Sequence, residues 1–296
     1  MKMIEGGVTA AQGFVAGGIH CGVRKNKSKP DLAMIYSQTP CAAAAVYTQN
    51  LVKGAPILVT RKNIANGYAR AVICNSGNAN TCNADGEEKA QAMCDLTAQA
   101  LGIDPQDVVV ASTGVIGQVL PIEPIAAGIP ELVKSLSAEG SSAADTAIMT
   151  TDTIPKEAAA EVETGGKTVR LGGISKGSGM IHPNMATMLC FVTTDCAISP
   201  EMLQRAIHQV TETTFNMISI DGDTSTNDTF AILANGAAGN QEITAPGPDY
   251  DAFVEALEAV CRKLSKLMAG DGEGATKLLI CQTEGAATLG AARTVA

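Results

Sequence analysis

The sequence predicts a mixed α/β sandwich, and three observations predict it. The composition is that of a globular chain, short apolar β-type runs recur between polar turns, and amphipathic helical stretches are interleaved with them. The 296 residues are 46% hydrophobic and 17% charged, with 30 glycines and 12 prolines. Such a chain buries a sizeable core and is not a collagen, a coiled coil or a disordered segment. Trp is absent and aromatics are 3%, so the core must be built from Ala, Val, Ile, Leu and Met. Aromatic platforms for stacking bases or sugars are not expected.

The runs at 32–36, 43–47, 56–60, 71–74 and 108–111 read as strands, being short, apolar and bounded by turn residues. The first three follow one another closely and read as antiparallel neighbours. Residues 87–101 place Ala90, Met93, Leu96, Ala100 and Leu101 at helical spacing and stop at Gly102, which is an amphipathic helix with a glycine end. A second helix starts near Pro200 and carries Leu203, Ala206, Ile207 and Val210. A third, over 251–268, carries Phe253, Leu257, Val260, Leu264 and Leu267 and stops at Gly270. Strand-like runs lie at 187–192, 217–220 and 230–233. Glu163-Thr-Gly-Gly-Lys167 is the best candidate for a flexible connection, and a further helix begins after Glu284.

Lys plus Arg 21 against Asp plus Glu 30 gives a net charge of −9 and a pI near 4.9. The adjacent basic pairs are Arg24-Lys25, Arg61-Lys62 and Arg262-Lys263, too few for the basic face that a nucleic acid or an anionic membrane requires. The uncharged run 6–23 is interrupted by glycines, Gln12 and His20, and reads as neither a membrane span nor a signal segment. A cytoplasmic protein is expected. Nine cysteines with no C-x-x-C pair, several in apolar surroundings such as 71–74 and 279–281, predict buried free thiols rather than disulfides or zinc.

Gly173-Ile-Ser-Lys-Gly177 has the G-x-S-x-G pattern of a nucleophile elbow, but Gly177, Gly179 and Pro183 forbid the helix that must follow. His20, His182 and His208 are the available histidine bases. The 172–179 stretch lacks the Lys-Ser/Thr end of a phosphate loop, and no G-x-G-x-x-G opens a helix. Asp221-Gly-Asp-Thr-Ser-Thr-Asn-Asp228 is acidic like a calcium loop, but Thr226 stands where the glycine belongs and Ile232 where the bidentate Glu belongs. It reads as a polar turn supporting a site. At Ala186-Thr187 a glycine-rich, proline-stiffened loop runs into an apolar strand. One reading is an ordinary loop-to-strand junction with Thr chosen for β propensity. The other is a self-cleavage point, at which the Thr187 hydroxyl attacks the Ala186 carbonyl and water then releases a new N-terminus. The freed α-amine, with an ordinary pKa of about 7.7–8, would serve as the general base.

The run Lys176-Gly-Ser-Gly-Met-Ile-His-Pro-Asn-Met-Ala-Thr-Met-Leu189 resembles the self-processing signature of the ornithine acetyltransferase family, the bifunctional glutamate N-acetyltransferases of arginine biosynthesis. Ser112-Thr-Gly-Val-Ile-Gly117, Met149-Thr-Thr-Asp-Thr153, the 221–228 block and Asp271-Gly-Glu-Gly-Ala-Thr-Lys277 resemble further family blocks, in order and over essentially the whole chain. The resemblance implies an αββα-type sandwich of the kind shared with self-cleaving aminopeptidases. It implies an N-terminal segment 1–186 and a segment 187–296 that begins with the nucleophile and packs in the same sandwich. Thr187 would be that nucleophile, Ala186-Thr187 the cleavage site, and Thr113 with Gly114 the oxyanion hole. Thr150, Lys176, Thr187 and Glu273 would contact substrate, the lysine suiting a carboxylate and the glutamate an amine.

The reaction implied is ping-pong transfer of acetyl from N-acetylornithine to glutamate through acetyl-Thr187, without cofactor or metal. Acetyl-CoA is a second donor that some members accept. The partners implied are these small molecules and a further copy of each chain in an α2β2 particle, with no nucleic acid and no membrane. Family members continue past the equivalent of Ala296 for about another small domain, so a missing C-terminal segment is expected. Two other outcomes fit the same residues: an aminopeptidase or amidase in which water resolves the acyl-enzyme, and an uncleaved, inactive precursor.

Overall fold

The computed structural model describes residues 1–182 and 188–296. The chain runs β1 (Lys2–Ile4), β2 (Phe14–Ile19), β3 (Leu32–Tyr47), α1 (Ala55–Asn63), β4 (Tyr68–Asn78), α2 (Gly86–Leu101), β5 (Val108–Val115), α3 (Ile122–Ser135), α4 (Ser141–Ile148), β6 (Glu157–Thr164) and β7 (Lys167–Lys176). It continues with β8 (Leu189–Thr194), α5 (Pro200–Thr213), β9 (Thr229–Ala234), α6 (Pro248–Gly270) and α7 (Leu289–Val295). Among the described residues the strands make one hydrogen-bonded path, β1-β6-β7-β8-β9-β3-β4-β5, with β2 added on β3.

The path folds over itself at β3. Its register against β4 shifts between Tyr36 and Cys41, and beyond the shift it pairs with β9. Alternation of side chains along a strand then separates the layers. Ala33, Ile35, Cys41, Ala43 and Ala45 face an inner core shared with Val72, Val109, Phe191 and Leu233. Leu32 and Met34 face outward to Met93 and Ile125 of α2 and α3. Ala42, Ala44 and Val46 face outward to Leu203 of α5 and Leu257 of α6. Two sheet halves face one another and each is covered by helices, the expected αββα order. A core strand so rich in alanine lets the layers approach closely, and the branched and aromatic side chains come from the facing strands.

The predicted helices over 87–101, from near Pro200 and over 251–268 are α2, α5 and α6. Ser199 caps α5, its hydroxyl accepting from Met202 N at 3.3 Å, and Gly102 closes α2 at φ 68°. Other expectations need correction. The 56–60 run is helix α1, not a strand. Gly54 precedes it, Pro56 occupies its first turn, and Arg61 and Lys62 sit in its last, the signals of a helix start and stop. Thr60 docks it on β5, its hydroxyl donating to Val110 O at 2.7 Å and accepting from Val110 N at 2.8 Å. The 32–36 and 43–47 runs are parts of one strand rather than neighbours.

Of residues 217–220, Met217 closes a single 3-10 turn, Phe215–Met217, and the rest form no strand. The 163–167 segment is the tight turn of the β6–β7 hairpin rather than a hinge. Gly165 and Gly166 have φ 55° and 73°, and Gly165 N donates to Asp249 Oδ1 at 2.7 Å. Cys281 is exposed rather than buried, as is Cys82, while Cys41, Cys74, Cys94, Cys190, Cys196 and Cys261 are buried and free.

Candidate active site

The residues expected to form the oxyanion hole lie at the C-terminal end of β5. Thr113 is buried, and the parallel ladder to β4 pairs it with Ser76 and pairs Gly114 with Gly77. Gly114 has φ 130°, and a Cβ there would lie 2.3 Å from the carbonyl carbon of Gly77. The position therefore demands glycine on both counts. Ser112, one residue upstream, is fixed twice. Its hydroxyl donates to Asn75 Oδ1 at 2.6 Å, and its carbonyl accepts from Asn227 Nδ2 at 2.9 Å. Asn227 also donates to Ala79 O and accepts from the Thr81 hydroxyl, each at 2.6 Å.

Ala186 and Thr187 lie outside the described residues. The residue that follows them is held tightly: Met188 N donates to Asp228 Oδ1 at 2.8 Å, and its carbonyl accepts from Thr229 N at 3.1 Å. Leu189 then opens β8 opposite Lys176 of β7 and Thr229 of β9. Asp228 is fully buried, and among the described residues its Oδ2 has no hydrogen-bond partner. Burial pushes its carboxyl up to about 8, against the Met188 amide, the Ser225 hydroxyl and the Lys176 ammonium. Two consecutive residues, Asn227 and Asp228, thus connect the strand that carries Thr113 to the residue that follows Thr187.

Lys176 ends β7 with its side chain buried. Burial pulls its ammonium below the usual lysine range, opposed by Asp152 and Asp228. Among the described residues it has no ion pair, whereas Lys156, also buried, has two, at 2.7 Å to Asp152 Oδ1 and 2.7 Å to Asp271 Oδ2. That triad organises the remaining expected contacts. Asp152 accepts from Thr150 N at 3.0 Å and from Gly177 N, next to Lys176, at 2.7 Å. Asp271 accepts from Thr153 N at 3.0 Å and lies two residues before Glu273. Glu273 N donates to Ser178 O at 2.6 Å, and its carboxylate lies over Gly179, where an added Cβ would be 2.7 Å from Oε1. Burial alone would raise Asp152, but the Lys176 and Lys156 ammoniums hold it at about 2. Ser76, opposite Thr113, donates to Ala147 O at 2.6 Å near the end of α4, which joins this group to β4, beside the strand that carries Thr113.

The structure therefore brings Thr113, Gly114, Thr150, Lys176 and Glu273 to one end of the sandwich. Sequence reasoning read the 221–228 block as a supporting turn but did not single out Asn227 or Asp228. It missed Asp152, Lys156 and Asp271 as a buried network. Asp152 and Asp271 fall inside blocks that were recognised, while an isolated lysine such as Lys156 carries no local signal of burial. Among the described residues no cluster of three or more His, Cys, Asp or Glu is placed to hold a metal ion, and no helix is long and apolar enough to cross a membrane. A groove of about 630 Å³ between 213–220, α6 and 275–296 contains none of the expected site residues.

The ArgJ family model matches residues 15–296. An arginine biosynthesis bifunctional protein ArgJ from Symbiobacterium thermophilum is 53% identical over 298 residues, covering 100% of this chain and 74% of that protein. The solved ornithine acetyltransferase of Mycobacterium tuberculosis, in complex with ornithine, is 34% identical with a TM-score of 0.56, covering 62% of this chain and 97% of that one. An L-aminopeptidase D-Ala-esterase/amidase from Ochrobactrum anthropi, a variant of the Ntn hydrolase fold, has a TM-score of 0.52 at 13% identity. It covers 89% of this chain and 86% of that one, and the likeness is one of fold.

Proposed function

The chain belongs to the ArgJ family, and from that premise we propose that it is an acetyltransferase of arginine biosynthesis that moves acetyl from N-acetylornithine to glutamate through a self-generated N-terminal threonine. The observation that supports this best is the Asn227-Asp228 bridge, which fixes Ser112 and Met188, the neighbours of the proposed oxyanion hole and nucleophile, with hydrogen bonds of 2.9 and 2.8 Å.

In the maturation step the Thr187 hydroxyl attacks the Ala186 carbonyl carbon. The C–N bond breaks as its nitrogen gains a proton, and water hydrolyses the ester that results. Ala186 is left with a carboxylate, and Thr187 with its hydroxyl and a free α-amine. In turnover that amine takes the hydroxyl proton while Thr187 Oγ attacks the acetyl carbonyl, and the oxyanion is held by Thr113 and Gly114. The proton passes to the departing nitrogen and ornithine leaves. The α-amine of glutamate then attacks the acetyl ester through a second oxyanion, regenerating Thr187 and releasing N-acetylglutamate. Lys176, buried and without an ion pair among the described residues, suits a substrate carboxylate. Glu273, exposed at the rim, suits the ornithine ammonium.

Acetyl-CoA would enter as a second donor to the same threonine, and acetylglutamate formed from acetyl-CoA alone is its assay. The mature particle is proposed to hold two copies each of segments 1–186 and 187–296. The test of the mechanism is to mix the protein with N-acetylornithine without glutamate. A burst of ornithine stoichiometric with protein, and an acetyl group mapped to Thr187, are expected. Glutamate then converts the label to acetylglutamate. Release of free acetate at the same rate with and without glutamate would overturn the transfer step.

A further inference from the structure

Donor and acceptor of this reaction differ at one end. Both carry an α-carboxylate and the α-nitrogen that holds or accepts the acetyl group, but ornithine ends in an ammonium and glutamate in a carboxylate. Glu273 complements the first and repels the second. Lys156 is consumed by Asp152 and Asp271, and Lys176 serves one carboxylate. A second cation is needed, and Arg24 stands where it could supply one.

Arg24 lies in the loop between β2 and β3, and Asp31 fixes that loop. The buried Asp31 carboxylate accepts from Cys21 N at 2.6 Å, Gly22 N at 3.2 Å and Arg24 N at 2.8 Å, with His20 Nδ1 3.3 Å away. The Arg24 side chain then crosses Gly77. A Cβ at Gly77 would lie 2.6 Å from Arg24 Cγ and 3.5 Å from its Nε, and Gly77 is the ladder partner of Gly114. At its tip Nη2 donates to the carbonyl of Met149, the residue before Thr150. The side chain therefore lies between β4, the ladder neighbour of the strand that carries Gly114, and the Thr150 segment. Among the described residues it has no ion pair, and its Nε is buried without a hydrogen bond. Asp31 and Asp152 face it electrostatically, but the Asp31 oxygens are occupied by the loop amides and those of Asp152 by Thr150 N, Gly177 N and Lys156 Nζ. A half-buried, fork-shaped cation with unused donors beside an acyl-transfer centre is suited to a carboxylate.

We propose that Arg24 is a specificity-determining residue that binds the side-chain carboxylate of the glutamate acceptor. The assignment rests on the acetyl-transfer reading above. The experiment compares wild type, Arg24→Gln and Arg24→Lys in two reactions. One is exchange of labelled ornithine into N-acetylornithine, which needs no glutamate, and the other is transfer to glutamate.

With Arg24→Gln the KM for glutamate should rise about tenfold or more, the loss expected of a charge-assisted pair, while exchange stays within about twofold. Arg24→Lys should restore part of the affinity, because the charge returns without the fork. An equal fall in both reactions would make Arg24 a structural residue, and an unchanged KM for glutamate would leave it without a substrate role. Either overturns the proposal. If wild type carries out neither reaction, the transfer reading itself fails. Calorimetric titration of glutamate into wild type and Arg24→Lys then still decides on Arg24, since equal affinities contradict it and a weaker variant supports it. Thermal melts of all three proteins accompany each comparison.

Discussion

Gly114 is where a single methyl group interrogates the site. Its φ of 130° and the 2.3 Å approach of a Cβ to Gly77 mean that Gly114→Ala must move the backbone that presents the proposed oxyanion donors. Loss of one such donor raises an acyl-transfer barrier by about 3 kcal/mol, so cleavage and transfer should both slow by at least ~100-fold. A variant with wild-type rates in a quenched time course would remove this residue from the mechanism.

The buried carboxyls make a second prediction. Asp145 is raised to about 8 by burial, outweighing the Lys156 amide, and among the described residues its Oδ1 has no partner. Asp228 is raised likewise. An unfolded aspartate ionises near 3.9, so between about 4 and about 8 the folded state holds protons that the unfolded state has released. Stability then falls as pH rises across that window. Asp152 works in the opposite sense and lower down. It is held at about 2, so its contribution is present above about 4 and is lost as pH falls toward 2. Denaturant melts from about pH 4 to about pH 8 should show declining stability. Asp145→Asn should flatten the decline, and an unchanged slope would contradict the assignment.

At the scale of elements, the proposed substrate end depends on one lysine that joins three segments. Lys156→Met would leave Asp271 without its cation and Asp152 facing only the Lys176 ammonium, and breaking such a buried pair costs about 3–5 kcal/mol. We expect a large drop in melting temperature, with Thr150, Gly177 and Glu273 losing their common anchor. A melt within a degree or two of wild type would show that water reaches the site and that the triad is not the anchor.

The same scale shows what the sequence made legible. Helices α2, α5 and α6 were legible because their apolar stripes are long, α2 and α6 stop at glycine and α5 starts at a proline. α1 was not, because four apolar residues in a row satisfy a buried strand and a helix equally. β6 carries Ala158, Ala159 and Ala160, residues of low strand propensity, and is a strand only because β1 and β7 flank it. The family blocks located Thr113, Gly114, Thr150, Lys176 and Glu273. The ion-paired network behind them was hidden, since its members are separated by up to 119 positions between Asp152 and Asp271 and meet only in the fold.

For the molecule as a whole, the sandwich explains how a chain could be cut between residues 186 and 187 and remain one body. The strands on either side of the proposed cleavage point, β7 and β8, are adjacent and antiparallel over six residue pairs from Leu171↔Thr194 to Lys176↔Leu189. β9 adds six pairs with β3. Segments 1–186 and 187–296, once separated covalently, should therefore co-elute under native conditions and part only in denaturant. Elution of a free fragment from native protein would contradict that division.

The central claim is that Thr187 becomes an N-terminus by the protein's own chemistry. Intact mass and N-terminal sequencing of purified wild type and Thr187→Ala test it most directly. The account predicts two chains for wild type, the second beginning at Thr187, and one uncut chain for the variant. A single 30.3 kDa chain for wild type, or a cut variant, would contradict it.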